Sequence, residues 1–187
     1  MGSIGSSSSF GKDSIIRTLS RSGEALNIDF LSNEQLNDTI KEIRRIRIPF
    51  FDNIHLQTIS NVVYVTGNSP FHEGLVIKTI GKRIFVTQTY PITFQNAFSY
   101  EDAVYRISSF CSMNRNTKNY EIRDIWIPKV GILIQHIINY IRRLPNKYDI
   151  INHNCQNYCN NILNHFPLVK SNYSPNLNGN MFNDDRI

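Results

Sequence analysis

The sequence predicts one α+β domain, and three features of the 187 residues predict it. Residues 71–89 alternate β-branched and aromatic side chains around Gly81, the pattern of a β-hairpin. Residues 130–141 and 155–166 instead carry apolar side chains at helical spacing. With 41% hydrophobic residues the chain is long enough for one packed core of ordinary size. We place that domain at residues 31–170, between a flexible leader (1–30) and a disordered, Asn-rich polar tail (171–187).

The leader opens Met1-Gly2-Ser3-Ile4-Gly5-Ser6, the acceptor pattern for N-myristoylation of Gly2 once Met1 is removed. One myristoyl chain binds a bilayer only marginally, with K on the order of 10⁴ M⁻¹, so a second attachment is needed. Lys12, Arg17 and Arg21 supply it against acidic lipid. A plain Gly/Ser leader accounts for the same residues.

Ser32 and Gln35 form a capping box, and Leu36, Ile40, Ile43 and Ile46 follow at helical spacing, which predicts a helix from Ser32 to Arg47. Lys41, Arg44, Arg45 and Arg47 crowd its second half, and Pro49 ends it. Asn61–Gly67 reads as a strand closed by turn residues through Pro70. Phe71–Thr79 and Arg83–Thr89 form the hairpin around Ile80-Gly81-Lys82, with His72 at its open end. Residues 90–120 are irregular and aromatic, hold Cys111, and include a short helix near Tyr100–Ser108. Glu121–Ile127, with the single Trp126, reads as a strand. Pro128 suits the first turn of the next helix. Val130, Leu133, Ile134, Ile137, Ile138 and Ile141 stripe that helix, Arg142 and Arg143 complement its end, and Pro145 stops it.

Tyr148–Ile151 then runs extended, turns through Asn152-His153-Asn154, and enters a helix at Cys155. Cys155, Cys159, Ile162, Leu163 and Phe166 make one apolar stripe, and Asn154 is a good N-cap. A thiol in the first helical turn faces unpaired N–H groups and the positive end of the dipole, so its pKa is expected to fall. The thiolate is a nucleophile, and the same N–H groups can hold an oxyanion. Such a nucleophile needs a base within about 3 Å in some pose. His153 is near in sequence, but residues two apart around a turn rarely face each other. His72, at a strand end, can be brought opposite the helix head. Gln88 or Thr89 falls across the hairpin from it, in reach to orient the imidazole.

His72-Glu73-Gly74 opening a hairpin, and much later Asn154-Cys155-Gln156-Asn157-Tyr158 opening a helix, resembles the circularly permuted papain-like superfamily. That group holds permuted relatives of the NlpC-type cell-wall peptidases, lecithin:retinol acyltransferase and its phospholipase-like cousins, and the PPPDE isopeptidases. The resemblance covers Asn61 to Phe166. It implies a permuted papain-like fold, with an antiparallel sheet packed on the nucleophile helix. It further implies Cys155 as nucleophile, His72 as base and a polar third residue on the following strand. Many members have His, Asn or Asp at that third place, where this chain offers Gln88.

The expected function is therefore thiol-dependent acyl chemistry on a peptide, isopeptide or lipid ester, with no cofactor or metal. The second class is a non-catalytic, membrane-anchored binding module on the same fold. Cys159 shares the stripe of Cys155 and reads as core. His153, Cys155, Cys159 and Cys111 lack the paired knuckles of most zinc sites. His136 borders its helix's stripe, and His55 and His165 read as surface. Three cysteines make no disulfide framework, which points to the cytosol, with a peripheral membrane attachment through Gly2 if it is acylated. No apolar run approaches the 18 residues of a membrane span. The net charge of +5 suits an anionic surface but is too diffuse for nucleic acid.

Overall fold

The computed structural model describes residues 16–19, 25–49, 71–89, 91–109, 120–145 and 154–172. The strand expected at Asn61–Gly67, the run Tyr148–Ile151, the tail from residue 173, and Gly2, His55, Cys111 and His153 lie outside them.

Among the described residues the fold is mixed α+β, one sheet with helices on both faces. Its strands are β1 (Ile16–Leu19), β2 (Ala25–Ile28), β3 (Ile40–Pro49), β4 (Phe71–Thr79), β5 (Ile84–Gln88), β6 (Thr93–Ala97), β7 (Glu121–Pro128) and β8 (Leu168–Lys170). They lie in the order β1-β2-β6-β5-β4-β3-β7-β8. Every neighbouring pair is antiparallel except β2 and β6, which run parallel. The helices are α1 (Asn33–Leu36), α2 (Tyr100–Ser108), α3 (Ile134–Ile141) and α4 (Cys155–His165).

Side-chain alternation splits the core in two. On one face Ile43, Leu75, Ile77, Phe85 and Phe94 meet the apolar stripes of α3 and α4. On the other, Ile46, Ile48, Val76, Val86 and Ala97 meet Ala103, Val104 and Ile107 of α2. Gly74 is required where α2 approaches β4, because a Cβ there would lie 2.9 Å from the Ile107 side chain. The glycine of His72-Glu73-Gly74 is thus a packing device.

The helix expected from Ser32 to Arg47 is corrected to one turn followed by a strand. The capping box is present: the Gln35 N–H donates to Ser32 Oγ at 3.2 Å, and the Ser32 N–H donates to Gln35 Oε1 at 2.9 Å. The helix nevertheless ends at Leu36, and β3 begins at Ile40. The isoleucines at intervals of three are buried on two different faces, Ile43 towards α3 and α4, Ile46 and Ile48 towards α2. A strand inside the sheet with both faces covered needs apolar side chains on each, and β-branched residues suit it. A register shift between Arg45 and Ile46 against β7 adds to the irregular spacing.

Three smaller differences accompany it. Pro128 ends β7 instead of opening a helix, and α3 starts at Ile134, where the Leu133 N–H donates to His136 Nδ1 at 3.2 Å. β1 and β2 fall within the leader expected to be flexible. Leu26 and Ile28 are buried, and the Asn96 N–H donates to Asp29 Oδ2 at 3.0 Å beside β6. β8 follows α4 directly and pairs with β7 at the sheet edge. The hairpin turn is locked from outside by Asp38, which accepts from Thr79 Oγ1 at 2.7 Å, the Gly81 N–H at 3.2 Å and Arg83 Nη1 at 2.8 Å.

Candidate thiol and imidazole site

Cys155 is the first residue of α4, and Asn154 caps it, accepting the Asn157 N–H at 2.9 Å. Cys159, Ile162 and Leu163 anchor α4 in the core, and the Tyr158 hydroxyl is hydrogen-bonded to Thr87 Oγ1 on β5. These contacts fix the helix head against the end of the β4–β5 hairpin.

The sulfur then meets β4 edge-on. The Thr79 N–H donates to the Arg83 carbonyl, so odd-numbered residues of β4 turn their backbone groups towards β5. The β4–β5 ladder ends at Leu75 opposite Thr87. Beyond that pair the Glu73 N–H and the Phe71 carbonyl still face the β5 side, and the Cys155 thiol takes the place of a strand there. The thiol donates to the Phe71 carbonyl at 3.8 Å, and the Glu73 N–H points at the sulfur. The two backbone groups that hold the thiol are those flanking His72.

His72 follows the alternation of β4. It is paired across to Ile48, on the same face as Gly74 and Val76, and so projects towards α2. There His72 Nε2 lies 2.8 Å from Gln88 Oε1, and Gln88 Nε2 donates to the Arg106 carbonyl of α2 at 3.1 Å. A carbonyl only accepts, so Gln88 must turn its NH₂ to Arg106 and its oxygen to His72. His72 Nε2 therefore carries the proton and Nδ1 the basic lone pair. The structure thus brings His72 and Gln88 together, with Gln88 across the hairpin from the imidazole. Cys155 reaches the same peptide units from the α4 side, so imidazole and thiol approach β4 from opposite faces.

The electrostatics correct one expectation. Burial pushes the Cys155 thiol above its ordinary pKa, although the N–H groups of Glu73, Gln156 and Cys155 itself pull the other way. Helix-end donors do reach the sulfur, but at 3% exposure the lost solvation outweighs them. Cys159, on the same stripe and fully buried, is raised further for the same reason. Burial also holds His72 below its usual pKa, against the Gln88 hydrogen bond and the charge of Glu73. Both groups are thus favoured in their neutral forms at pH 7.

One residue of the motif has a role that the sequence reading missed. Glu73, wholly buried, faces α4 and binds three guanidiniums: Arg45 Nε at 2.6 Å, Arg47 Nε at 3.1 Å and Arg123 Nη1 at 3.0 Å. Reading Ile40–Pro49 as a strand would have placed Arg45 and Arg47 on one face. A carboxylate inside an apolar strand was the sign that cations must meet it. His165, expected at the surface, is exposed and stacks on Tyr140 with ring centroids 3.8 Å apart. Among the described residues no group of three His, Cys, Asp or Glu is arranged to hold a metal, and no helix is long and apolar enough to cross a membrane.

No protein-family model matches the chain, and neither a curated protein nor a solved structure matches it.

Proposed function

We propose that Cys155, His72 and Gln88 form one thiol–imidazole–amide unit for acyl transfer or hydrolysis, on a permuted papain-like fold. The observation that carries the reading is the Gln88 relay. A buried amide held by the Arg106 carbonyl fixes the His72 ring 2.8 Å away, in the tautomer that leaves Nδ1 as base. The position of Cys155 supports it, since its sulfur lies against the two backbone groups that flank His72. For this the imidazole must turn to the sulfur at the edge of β4, beyond the Leu75–Thr87 pair where the β4–β5 ladder ends. The thiol proton passes to His72 Nδ1 as sulfur attacks the carbonyl carbon. An N–H at the head of α4 takes the oxyanion. His72 then returns the proton to the leaving amine or alcohol, and water attacking with the same base releases the acid. Neutral starting forms suit this sequence, because the proton moves during attack and no resting ion pair is required.

The burial of both groups favours a second reading, a binding module that keeps the fold without turnover: Cys155 is 3% exposed and His72 6%. Release of p-nitrophenol from short peptide esters, followed with intact-mass detection of an acyl adduct, separates the two. On the catalytic reading Cys155→Ala and His72→Ala each abolish release and adduct, and the double variant adds little to either. Release that survives Cys155→Ala overturns it. Attachment to a membrane through an acylated Gly2 is part of the proposal. It is tested by uptake of labelled myristate in a eukaryotic extract, which Gly2→Ala abolishes.

A further inference from the structure

The arginines around Glu73 offer more positive charge than Glu73 and its neighbours take up. Arg45 is buried and spent, donating to Glu73 Oε2 at 2.6 Å and to Asn160 Oδ1 of α4 at 2.8 Å. Arg47 and Arg123 differ. Both aim one N–H at the same oxygen, Glu73 Oε1, at 3.1 and 3.0 Å, which sets two guanidiniums side by side on one acceptor. Their other ion pairs are longer, Glu121 at 3.7 Å from Arg47 and Asp124 at 3.9 Å from Arg123. Asp124 is moreover paired closely with Lys170. Within this group four cations face three carboxylates. Arg47 and Arg123 remain 19% and 38% exposed, so part of each planar donor fork is open to solvent.

This surplus is joined to the thiol through Glu73 and Phe71. Glu73 is the residue whose N–H meets the Cys155 sulfur, and the Arg47 guanidinium carbon sits 5.0 Å over the ring of Phe71, whose carbonyl accepts from that sulfur. We infer that Arg47 and Arg123 form a carboxylate subsite, which selects acyl substrates with an acidic side chain next to the scissile residue. The inference rests on the proposed acyl chemistry for its purpose, but the subsite itself is a binding claim. Two adjacent guanidinium forks match a planar carboxylate bidentately and relieve their mutual repulsion when it binds. The side chains paired with them, Glu121, Asp124 and Lys170, are charged, and the Phe71 ring under Arg47 is the one apolar surface in contact with the pair among these groups, which favours a peptide over a lipid.

The test titrates the full-length chain with acetyl-Glu-Gly amide and with its neutral isostere acetyl-Gln-Gly amide, by calorimetry. The glutamyl peptide is expected to bind about tenfold tighter, a difference of about 1.4 kcal/mol. Arg123→Gln and Arg47→Gln should each bring the ratio close to one. Arg123 is the more exposed and keeps the test independent of any folding defect in Arg47→Gln. Equal binding of the two peptides, or a preference that survives both substitutions, overturns the subsite. So does arginine-dependent capture by anionic phospholipid vesicles with no peptide preference. The p-nitrophenyl esters of the same two dipeptides then report the chemistry separately: loss of the Cys155 adduct removes the catalytic reading and leaves the binding result standing.

Discussion

His72 Nε2 lies 2.8 Å from Gln88 Oε1, and both side chains are buried on the α2 face of the sheet. Gln88 is itself held by the Arg106 carbonyl, so the backbone of α2 determines which nitrogen of His72 is basic. Gln88→Leu removes both bonds and takes from the buried His72 Nε2–H its Gln88 acceptor, while the Arg106 carbonyl still accepts from Ser109 Oγ at 2.8 Å. We expect a loss of about 1–3 kcal/mol in stability by urea denaturation. Ester turnover should fall more than Gln88→Glu lowers it, since glutamate keeps an acceptor for Nε2–H. Equal turnover in the Leu variant and the parent would remove Gln88 from the unit.

Thiol reactivity should follow burial. Cys155 is pushed above its ordinary pKa, so iodoacetamide labelling of the native chain should be slow at pH 7 and still rising past pH 9. Cys159, fully buried and raised further, should label more slowly than Cys155 at every pH. Peptide mass mapping of a pH series reads both rates, and faster labelling of Cys159 in the folded chain would contradict the assignment.

Stability should fall on mild acidification. His72 has a folded pKa below its unfolded value near 6.5, because burial disfavours the imidazolium. The unfolded chain therefore takes up the extra proton first, and stability rises with pH through that window. The His72 contribution is complete above about pH 6.5 and is lost as pH falls towards the folded value. Urea midpoints at pH 7.5, 6.5 and 5.5 should decline, and His72→Gln should flatten the decline. An unchanged slope in that variant would assign the effect to another group.

Asp38 acts in the same direction at lower pH, its folded pKa also lying below the unfolded one. Burial alone would raise its pKa, but hydrogen bonds from Thr79, Arg83 and Gly81 hold it below the ordinary carboxylate value. Its contribution is present above about pH 4 and lost below it. Asp38→Asn should lower the melting temperature at pH 7 and narrow the gap to the parent at pH 3. A gap that persists at pH 3 would make the loss steric in origin.

Gly74→Ala brings a Cβ to within 2.9 Å of Ile107 and should cost about 1–3 kcal/mol. Ile107→Ala alone leaves a cavity, yet combined with Gly74→Ala it should recover part of the loss. Simple additivity of the two in chemical denaturation would show that the glycine serves some purpose other than admitting α2.

The sequence by itself determined the local elements whose signals agree with their surroundings. The 71–89 hairpin and α2 fall where the pattern placed them, because turn chemistry and helical spacing are written within a few residues. Asn154 caps α4 at Cys155, and the thiol does meet helix-end N–H groups, since a cap needs only its own first turn. Tertiary structure decided what depends on neighbours distant in sequence. The isoleucines of residues 40–48 fit a helix by spacing, but covering both faces of the sheet made them a strand. The same packing put Arg45 and Arg47 beside Glu73, an ion cluster that a helical reading hides. It also reversed the expected shift of the Cys155 thiol, because desolvation depends on how many atoms surround the sulfur. A helix terminus read from sequence supplies the donors but not the burial, and here burial is the larger effect.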